Sequence, residues 1–160
     1  MCFLPSPWFA AAVDLAVSDL HGLARFLSAA EPRIALEQRD AFLKATLPDE
    51  GCTLVFEWEP TGVVHVRLPI GVVPPPRIGT AIEVLSDVNS VLGILGFVVH
   101  RASGWIELRF SVFADHDGRV ATATVGKVVV SMQDTVVHYT PQLQDLCRME
   151  QPAAVPWWVE

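Results

Sequence analysis

The amino-acid sequence predicts a single α+β domain in which an antiparallel sheet, built from two hairpins, packs against helices. Two periodicities lead to this fold class. Apolar and polar residues alternate over 52–59 and 105–113, which is the period of a half-buried strand. Near the C-terminus apolar residues recur at steps of three and four, which is the period of one face of a helix.

The helical stripe lies between Thr122 and Cys147 and is the longest signal in the chain. Such a stripe must be covered, and a sheet formed by the middle of the chain is the simplest cover. Its residues, spaced alternately by four and three, are Val125, Val129, Met132, Val136, Tyr139, Leu143 and Leu146.

Both ends of this stripe leave alternatives open. Residues 119–130 are rich in Val and Thr, which favour strands, so a third strand from Arg119 to Val125 is an alternative to an early helix start. Pro141 lacks an amide hydrogen, so we expect it to kink the last turns. Thr140 is a candidate for a new helix cap there.

Two helices are predicted in the N-terminal third. Ser6 can cap a helix that begins at Pro7, and apolar residues then follow at helical spacing to Ala29. Pro32 separates this helix from a second one, over Arg33–Leu47. The second helix is predicted to have Leu36, Leu43 and Leu47 on one side.

The hairpins follow where the period changes to two. Cys52–Glu59 and Val63–Ile70 flank a Pro-Thr-Gly turn, and Phe97–His100 and Trp105–Phe113 flank a second turn. Between them, Gly71–Pro76 ends in three prolines, which lack amide donors. We therefore expect this segment to cross from sheet to helix without joining a central strand.

The helix predicted over Thr80–Leu95 has an unusually wide apolar arc. At about 100° per residue, its apolar residues fall into two stripes roughly 110° apart. A helix lying on a sheet needs one stripe, so the second is expected to meet either another helix or another subunit. The first stripe is Ile82, Leu85 and Leu92; the second is Val84, Val88, Val91 and Leu95.

Charge and cysteine content restrict the function classes. The formal net charge of −7 disfavours direct binding of nucleic acid or anionic membranes and favours a basic protein partner, although it also serves solubility. The three cysteines are far apart in the sequence, and no Cys/His cluster indicates a metal site. No cofactor is predicted.

No pattern in the sequence predicts catalysis. The five histidines are scattered over separate elements, and no G-x-S-x-G or phosphate-binding glycine motif is present. Asp115-x-Asp117-Gly118 fits a turn better than a calcium loop, because the later ligand positions are missing. The sequence therefore predicts a protein that is not an enzyme, with no catalytic residues.

Localisation and domain limits follow from the two ends. The apolar start over 1–10 lacks a basic region, and no apolar run reaches the ~20 residues of a membrane span, so a cytoplasmic protein is expected. We assign one domain to residues 1–150 and a tail to 151–160. Trp157 and Trp158 in this tail either dock on their own domain or anchor a partner.

Two segments resemble the YbjN family of bacterial proteins, which shares its fold with the type III secretion chaperones. Asp87–Leu92 leading into Gly96–Val99 is similar to the family's passage from helix to strand. Thr135–Leu143 resembles the family's Tyr-containing helix end that finishes at a proline. The resemblance covers Pro48 to Leu146, within a core of residues 48–150 that follows the N-terminal helices over 7–47.

This resemblance implies a non-enzymatic homodimer that binds other proteins, as a chaperone or as a regulator. The partner would be a basic or partly unfolded protein. In relatives of the chaperone type the middle helix lies at the dimer interface, which assigns Val84, Val88, Val91 and Leu95 to a dimer or partner interface. The alternative that remains is a small apolar ligand-binding domain, with its site between the sheet and the long helix.

Overall fold

The computed structural model describes residues 16–47 and 52–147. In these ranges the chain forms a six-stranded antiparallel sheet, a two-stranded sheet and four α-helices, which confirms the α+β class. The strands are β1 (Ala16–Val17), β2 (Ala35–Arg39), β3 (Phe42–Leu47), β4 (Cys52–Trp58), β5 (Val63–Val72), β6 (Gly96–Val99), β7 (Trp105–Phe113) and β8 (Val120–Ala121). The helices are α1 (Leu20–Ala30), α2 (Ile78–Leu92), α3 (Thr122–His138) and α4 (Thr140–Leu146), with a 3-10 turn at Pro75–Arg77.

The six-stranded sheet has the order β2-β3-β4-β5-β7-β6. Its first four strands follow one another as a meander, and the β6–β7 hairpin joins through the pairing of β5 with β7. The sheet therefore contains the two predicted hairpins and a third, β2–β3, which the sequence did not predict. Strands β1 and β8 pair separately, with Ala16 opposite Ala121.

The four helices cover one face of this sheet, which we call the core face. Alternate strand residues point into it, and the predicted C-terminal stripe packs against them. Burying each large apolar side chain contributes about 1.5–3 kcal/mol, so the apolar side chains buried between this face and the helices dominate the stability of the fold. The buried residues include Leu54, Phe56, Val64, Val66, Ile106 and Leu108 from the sheet, Leu23 and Leu27 from α1, and Val125, Val129, Met132, Leu143 and Leu146 from α3 and α4.

Within the described residues, the first predicted helix is interrupted by a short strand. Residues 7–15 lie outside the described part of the chain, and Ala16–Val17 form strand β1. Helix α1 starts at Leu20, because the Asp19 carboxylate accepts a hydrogen bond from the Gly22 amide at 2.7 Å. An aspartate at this position satisfies one of the free amides of the first turn.

The prediction of a second helix over Arg33–Leu47 was wrong, because these residues form the β2–β3 hairpin. Asp40 has a φ of 47°, a left-handed conformation that Asp tolerates better than most residues. The turn there brings Leu36 and Leu43 back to the same face, so a spacing of seven fits a hairpin as well as a helix. Pairing of β3 with β4 then overrides the helical propensity of the segment.

The prediction that Gly71–Pro76 stays out of the sheet was only partly right. Gly71 and Val72 continue β5 opposite Ile106 and Trp105, in a central strand. A shift of register between Pro69 and Gly71 accommodates the proline, which has no amide hydrogen to donate. The consecutive prolines do leave the sheet, as expected, and lead through the 3-10 turn into α2.

Helix α2 lies along the edge strand β6. The Asn89 side chain accepts from the Phe97 amide at 2.7 Å and donates to the Phe97 carbonyl at 2.9 Å. These bonds take the place of a neighbouring strand, so the edge is closed at Phe97. The helix ends at Gly93, whose φ of 70° suits glycine.

The long C-terminal helix is broken where the sequence predicted a kink. Strand β8 has two residues, so only Val120–Ala121 of the alternative third strand is present, and α3 begins at Thr122. Pro141 lies in the first turn of α4. Thr140 does not cap α4; its hydroxyl donates to the Val136 carbonyl at 2.9 Å and so satisfies the end of α3. None of the described helices is long and apolar enough to span a bilayer.

Replacing Asn89 tests how far the closed edge stabilises the fold. Asn89→Ala leaves the amide and carbonyl of the buried Phe97 without these partners, so we expect a loss of about 2–3 kcal/mol. Urea unfolding measures the loss. Ser86→Ala, at an exposed position of the same helix, is the control; equal midpoints for the two variants would contradict this role of Asn89.

Candidate functional site

The four predicted interface residues on and after α2 lie in two different environments. Val84, Val88 and Leu95 are half-buried and pack against the protein's own core, whereas Val91 is 73% exposed. Ile94, which the sequence analysis did not assign, is 80% exposed. Ile94 lies between Gly93, which ends the helix, and Gly96, which begins β6. These two glycines were the sequence signal that could have placed Ile94 outside the helix and in an exposed turn. We call these five residues the α2 surface.

This surface has an acidic margin. Glu83 and Asp87 are exposed and one turn apart, and α2 contains no basic residue. At 100° per residue, Asp87 and Val91 are about 40° apart around the helix, so the carboxylates border the exposed apolar side chain. The α2 surface therefore combines uncovered apolar area with negative charge.

The face of the sheet opposite the helices, which we call the outer face, carries a charge-balanced set of ionisable side chains. Because side chains alternate, the residues between the buried ones on β2–β5 and β7 point this way. Its ionisable residues comprise four acidic groups, four basic groups and one histidine, all on strands except Glu59, which directly follows β4. They are Glu37, Arg39, Lys44, Glu57, Glu59, His65, Arg67, Glu107 and Arg109.

Ion pairs neutralise the centre of this face. Arg67 lies directly opposite Arg109, an arrangement that is unfavourable for two like charges alone. Each has an acidic partner: Arg67 donates to Glu57, and Arg109 Nε donates to Glu107 Oε1 at 2.9 Å. The Glu107 side chain is only 5% exposed, and His100 Nε2 lies 3.5 Å from its Oε1. The network therefore includes a nearly buried carboxylate.

A second polar chain joins a hydroxyl, an imidazole and a carboxylate. His65 lies opposite Ser111 on the neighbouring strand. Its Nδ1 is 2.8 Å from Ser111 Oγ, and its Nε2 is 2.8 Å from Glu59 Oε1. The hydrogen bond from His65, followed by that from the Thr61 hydroxyl, lowers the pKa of Glu59, so this carboxyl is ionised at neutral pH.

Alternation in the sequence predicted which residues share a face of the strand, but not which residues they contact on other strands. The alternation over 52–59 predicts a half-buried strand, and Glu57 does lie on the face opposite the buried Leu54 and Phe56, where it pairs with Arg67. His65 and Ser111 are 46 residues apart, and only the register of β5 with β7 brings them together. Period-two patterning assigns a face, but it does not assign the register between strands that are distant in sequence.

The Asp115–Asp117 segment is a turn, as predicted. The Asp115 carboxylate accepts from the amides of Asp117 and Arg119, each at 2.9 Å, and these bonds lower its pKa, the Arg119 amide most. Arg119 also donates to the Asp117 carboxylate at 2.7 Å. The ligand atoms of Asp115, His116 and Asp117 do lie within 4.8 Å of one another, but the turn's own bonds account for both carboxylates. Trp157 and Trp158 lie outside the described residues.

The β2 edge of the sheet differs from the β6 edge. The Trp58 amide donates to the Ala41 carbonyl at 2.9 Å, which turns the main-chain groups of Phe42 toward β2. By alternation along β2, the main-chain groups of Leu36 and Gln38 then point away from the sheet. Within the described residues no hydrogen bond is made to them. Over residues 16–47 and 52–147, this edge therefore has no neighbouring strand, and its outward main-chain groups can pair with an added one.

Comparison with protein-family models, with curated proteins and with solved structures finds no match.

Removing one partner of the nearly buried ion pair should cost more than removing both. Arg109→Met leaves the Glu107 carboxylate without its main cationic partner, and we expect a loss of about 2–3 kcal/mol in the free energy of unfolding. The double variant Arg109→Met/Glu107→Gln should recover part of this loss. Urea unfolding of the wild type, both single variants and the double variant measures the coupling; strictly additive losses would show that the pair is not coupled.

Proposed function

We propose that this protein is a homodimeric protein-binding module, chaperone-like or regulatory, that acts on a basic or partly unfolded protein partner. The observation that supports this most directly is the exposure of Val91 (73%) and Ile94 (80%) at the end of α2. The resemblance to the YbjN family motivates the further proposal that the fold is of the type III secretion chaperone kind. In this role the protein binds its partner without catalysing a reaction.

The α2 surface concentrates uncovered apolar area. Among the described residues, Ile94, Phe113 and Val91 are the three most exposed large apolar side chains. Val91 and Ile94 are only three positions apart. Val72, Phe113 and Val137 are also exposed, but each lies on a different element. Covering a large apolar side chain completely contributes about 1.5–3 kcal/mol. A second copy that presents the same surface across a twofold axis would cover both residues on each chain.

The acidic margin restricts where that axis can lie. Glu83 and Asp87 have no basic neighbour on α2, so an axis beside them would oppose like charges. An axis near Ile94 avoids this conflict. At 1.5 Å per residue, it would separate the two copies of Asp87 by about 20 Å and those of Glu83 by about 30 Å, beyond the screening length of about 8 Å. We therefore place the dimer axis at the C-terminal end of α2.

The open β2 edge suits the partner. Outward main-chain groups of Leu36 and Gln38 can pair with an extended segment, which would add as a seventh strand to the six-stranded sheet. Ala30, Ile34 and Leu36 are partly buried apolar residues beside this edge and can contact alternate side chains of the added strand. The net charge of −7 favours a segment with basic residues.

Charged substitutions on the α2 surface test the dimer. Val91→Asp and Ile94→Asp place a carboxylate in the proposed contact without disturbing the core, since both residues are exposed. Each variant should be monomeric at concentrations where the wild type is dimeric, as measured by sedimentation equilibrium. Val88→Asp is a poorer test, because Val88 packs against the core.

Ser86→Asp is the matched control, at an exposed position of the same helix away from the apolar flank. It should remain dimeric and separates a local effect from a general increase in charge. A wild type that is monomeric at every concentration would overturn the dimer, as would unchanged association of both Val91→Asp and Ile94→Asp.

Proline substitutions on β2 test the partner edge. Gln38→Pro removes an outward amide and leaves the β2–β3 ladder intact, whereas Glu37→Pro removes an amide within that ladder. Reduced, alkylated lysozyme serves as a basic unfolded probe, and reduced, alkylated α-lactalbumin as an acidic one. The wild type should bind the basic probe more tightly in fluorescence anisotropy, and Gln38→Pro should lose binding with its thermal stability retained.

Glu37→Pro is expected to lower the unfolding temperature. It therefore shows how a variant with a disrupted β2–β3 ladder behaves, for comparison with Gln38→Pro. Binding of the basic probe by Gln38→Pro at the wild-type affinity would exclude the β2 edge as the partner site. Equal binding of the two probes by the wild type would exclude selection by charge.

A further inference from the structure

We propose that Ser111 is a nucleophile, activated by His65 and oriented through Glu59, that accepts the acyl group of small activated esters on the outer face. This activity is separate from protein binding and does not depend on the proposed dimer. It stands on the two hydrogen bonds of 2.8 Å that join the three side chains. Nucleophile, base and a third group that orients the base are the parts that nucleophilic catalysis by serine requires.

The directions of these hydrogen bonds follow from the carboxylate. An ionised carboxylate only accepts hydrogen bonds, so His65 Nε2 must donate to Glu59 Oε1. In the neutral imidazole the other nitrogen then has a lone pair, and Nδ1 accepts from the Ser111 hydroxyl. Glu59 thus selects the tautomer in which His65 can receive the serine proton. The two ring nitrogens have exchanged the positions that they occupy in the Ser–His–Asp arrangement of serine proteases.

Rigid strands hold the three groups in place. His65 and Ser111 are directly opposite residues of the central pair β5–β7, whose other faces are packed in the core. Glu59 is held at the β4–β5 turn, where its amide donates to the Val63 carbonyl at 2.8 Å and its Oε2 accepts from the Thr61 hydroxyl at 3.0 Å. Groups fixed by strands and a closed turn lose little entropy on reaction.

Small molecules can reach these groups. The His65 side chain is 20% exposed and that of Glu59 is 41% exposed, and Ser111 is half-buried. The groups lie on a broad sheet face, so we expect reaction with compact, activated acyl donors such as aryl acetates. The same exposure admits water for the second half of the reaction.

The reaction balances as two acyl transfers. Ser111 Oγ gives its proton to His65 Nδ1 and bonds to the ester carbonyl carbon; the bond from that carbon to the leaving oxygen breaks, and the leaving alcohol takes the proton from Nδ1. The products are acyl-Ser111 and an alcohol. Water then gives a proton to Nδ1 and its oxygen bonds to the acyl carbon; the bond from that carbon to Ser111 Oγ breaks, Ser111 Oγ takes the proton from Nδ1, and the carboxylic acid leaves. The imidazolium formed in each half is paired with the Glu59 carboxylate.

The test uses the full chain and p-nitrophenyl acetate. We expect release of p-nitrophenolate with acetylation of Ser111, located by peptide mass mapping of the wild type. His65→Gln should lower the rate of acetylation at Ser111 at least about 100-fold, the lower end of what a positioned base contributes. Glu59→Gln, which removes the charge that selects the tautomer, should give a smaller loss. Ser111→Ala should lose the reaction.

Ser28→Ala is the matched control, because Ser28 is an exposed helical serine. In this variant Ser111 should be acetylated at the wild-type rate. Circular dichroism and thermal unfolding check each variant, and the wild-type peptide map decides the matter even if Ser111→Ala does not fold. Absence of acetyl-Ser111 in the wild type would overturn the proposal. So would acetylation of Ser28 at the rate of Ser111, or a His65→Gln variant in which Ser111 reacts unchanged.

Discussion

Packing of the α3–α4 stripe against the core face of β5 and β7 is the interaction on which the other features depend. Val64 and Val66 are fully buried under these helices, and side chains on a strand alternate between faces. Burying those two residues therefore turns His65 and Arg67 to the outer face. A slip of one residue would exchange the two faces, so the apolar stripe on the helices indirectly places every charged group of the sheet.

Helix α2 has a different role from the other helices. Ala81 and Leu85 are buried, and Asn89 holds the helix to β6, which closes one edge of the sheet. The opposite edge at β2 has no equivalent bond among the described residues. The two ends of the sheet are therefore unequal, and this asymmetry separates the surface proposed for the dimer from the edge proposed for the partner. The outer face between them is charge-balanced, so the net charge of −7 resides elsewhere on the chain.

Strong local periodicity made part of this structure predictable from the sequence. The C-terminal stripe, both predicted hairpins and the break at Pro141 were identified, because each depends on residues close together in the chain. The β2–β3 hairpin was missed, since Leu36 and Leu43 fit two turns of helix equally well and Asp40 is a weak turn signal. Strand β7 was predicted to be half-solvated, yet Trp105 and Glu107 on its other face are also buried.

The surfaces were harder to predict than the fold. Val84 and Val88 were assigned to an interface from their stripe on the helix and from the family resemblance, and the structure adds that both are partly buried against the protein's own core. Ile94 lies beyond the helix and outside any stripe. The His65–Ser111 pair needs the register of two strands separated by α2 and β6, which local patterns do not contain. Sites that depend on long-range pairing are therefore the ones that sequence reasoning leaves out.

Amide hydrogen exchange of the wild type at increasing protein concentration tests the central claim, association through the α2 surface, most directly. Association predicts that exchange over residues 88–95 slows as concentration rises, while exchange in β4 stays constant. Exchange over 88–95 that does not change with concentration, or protection that arises on another surface, would contradict the account.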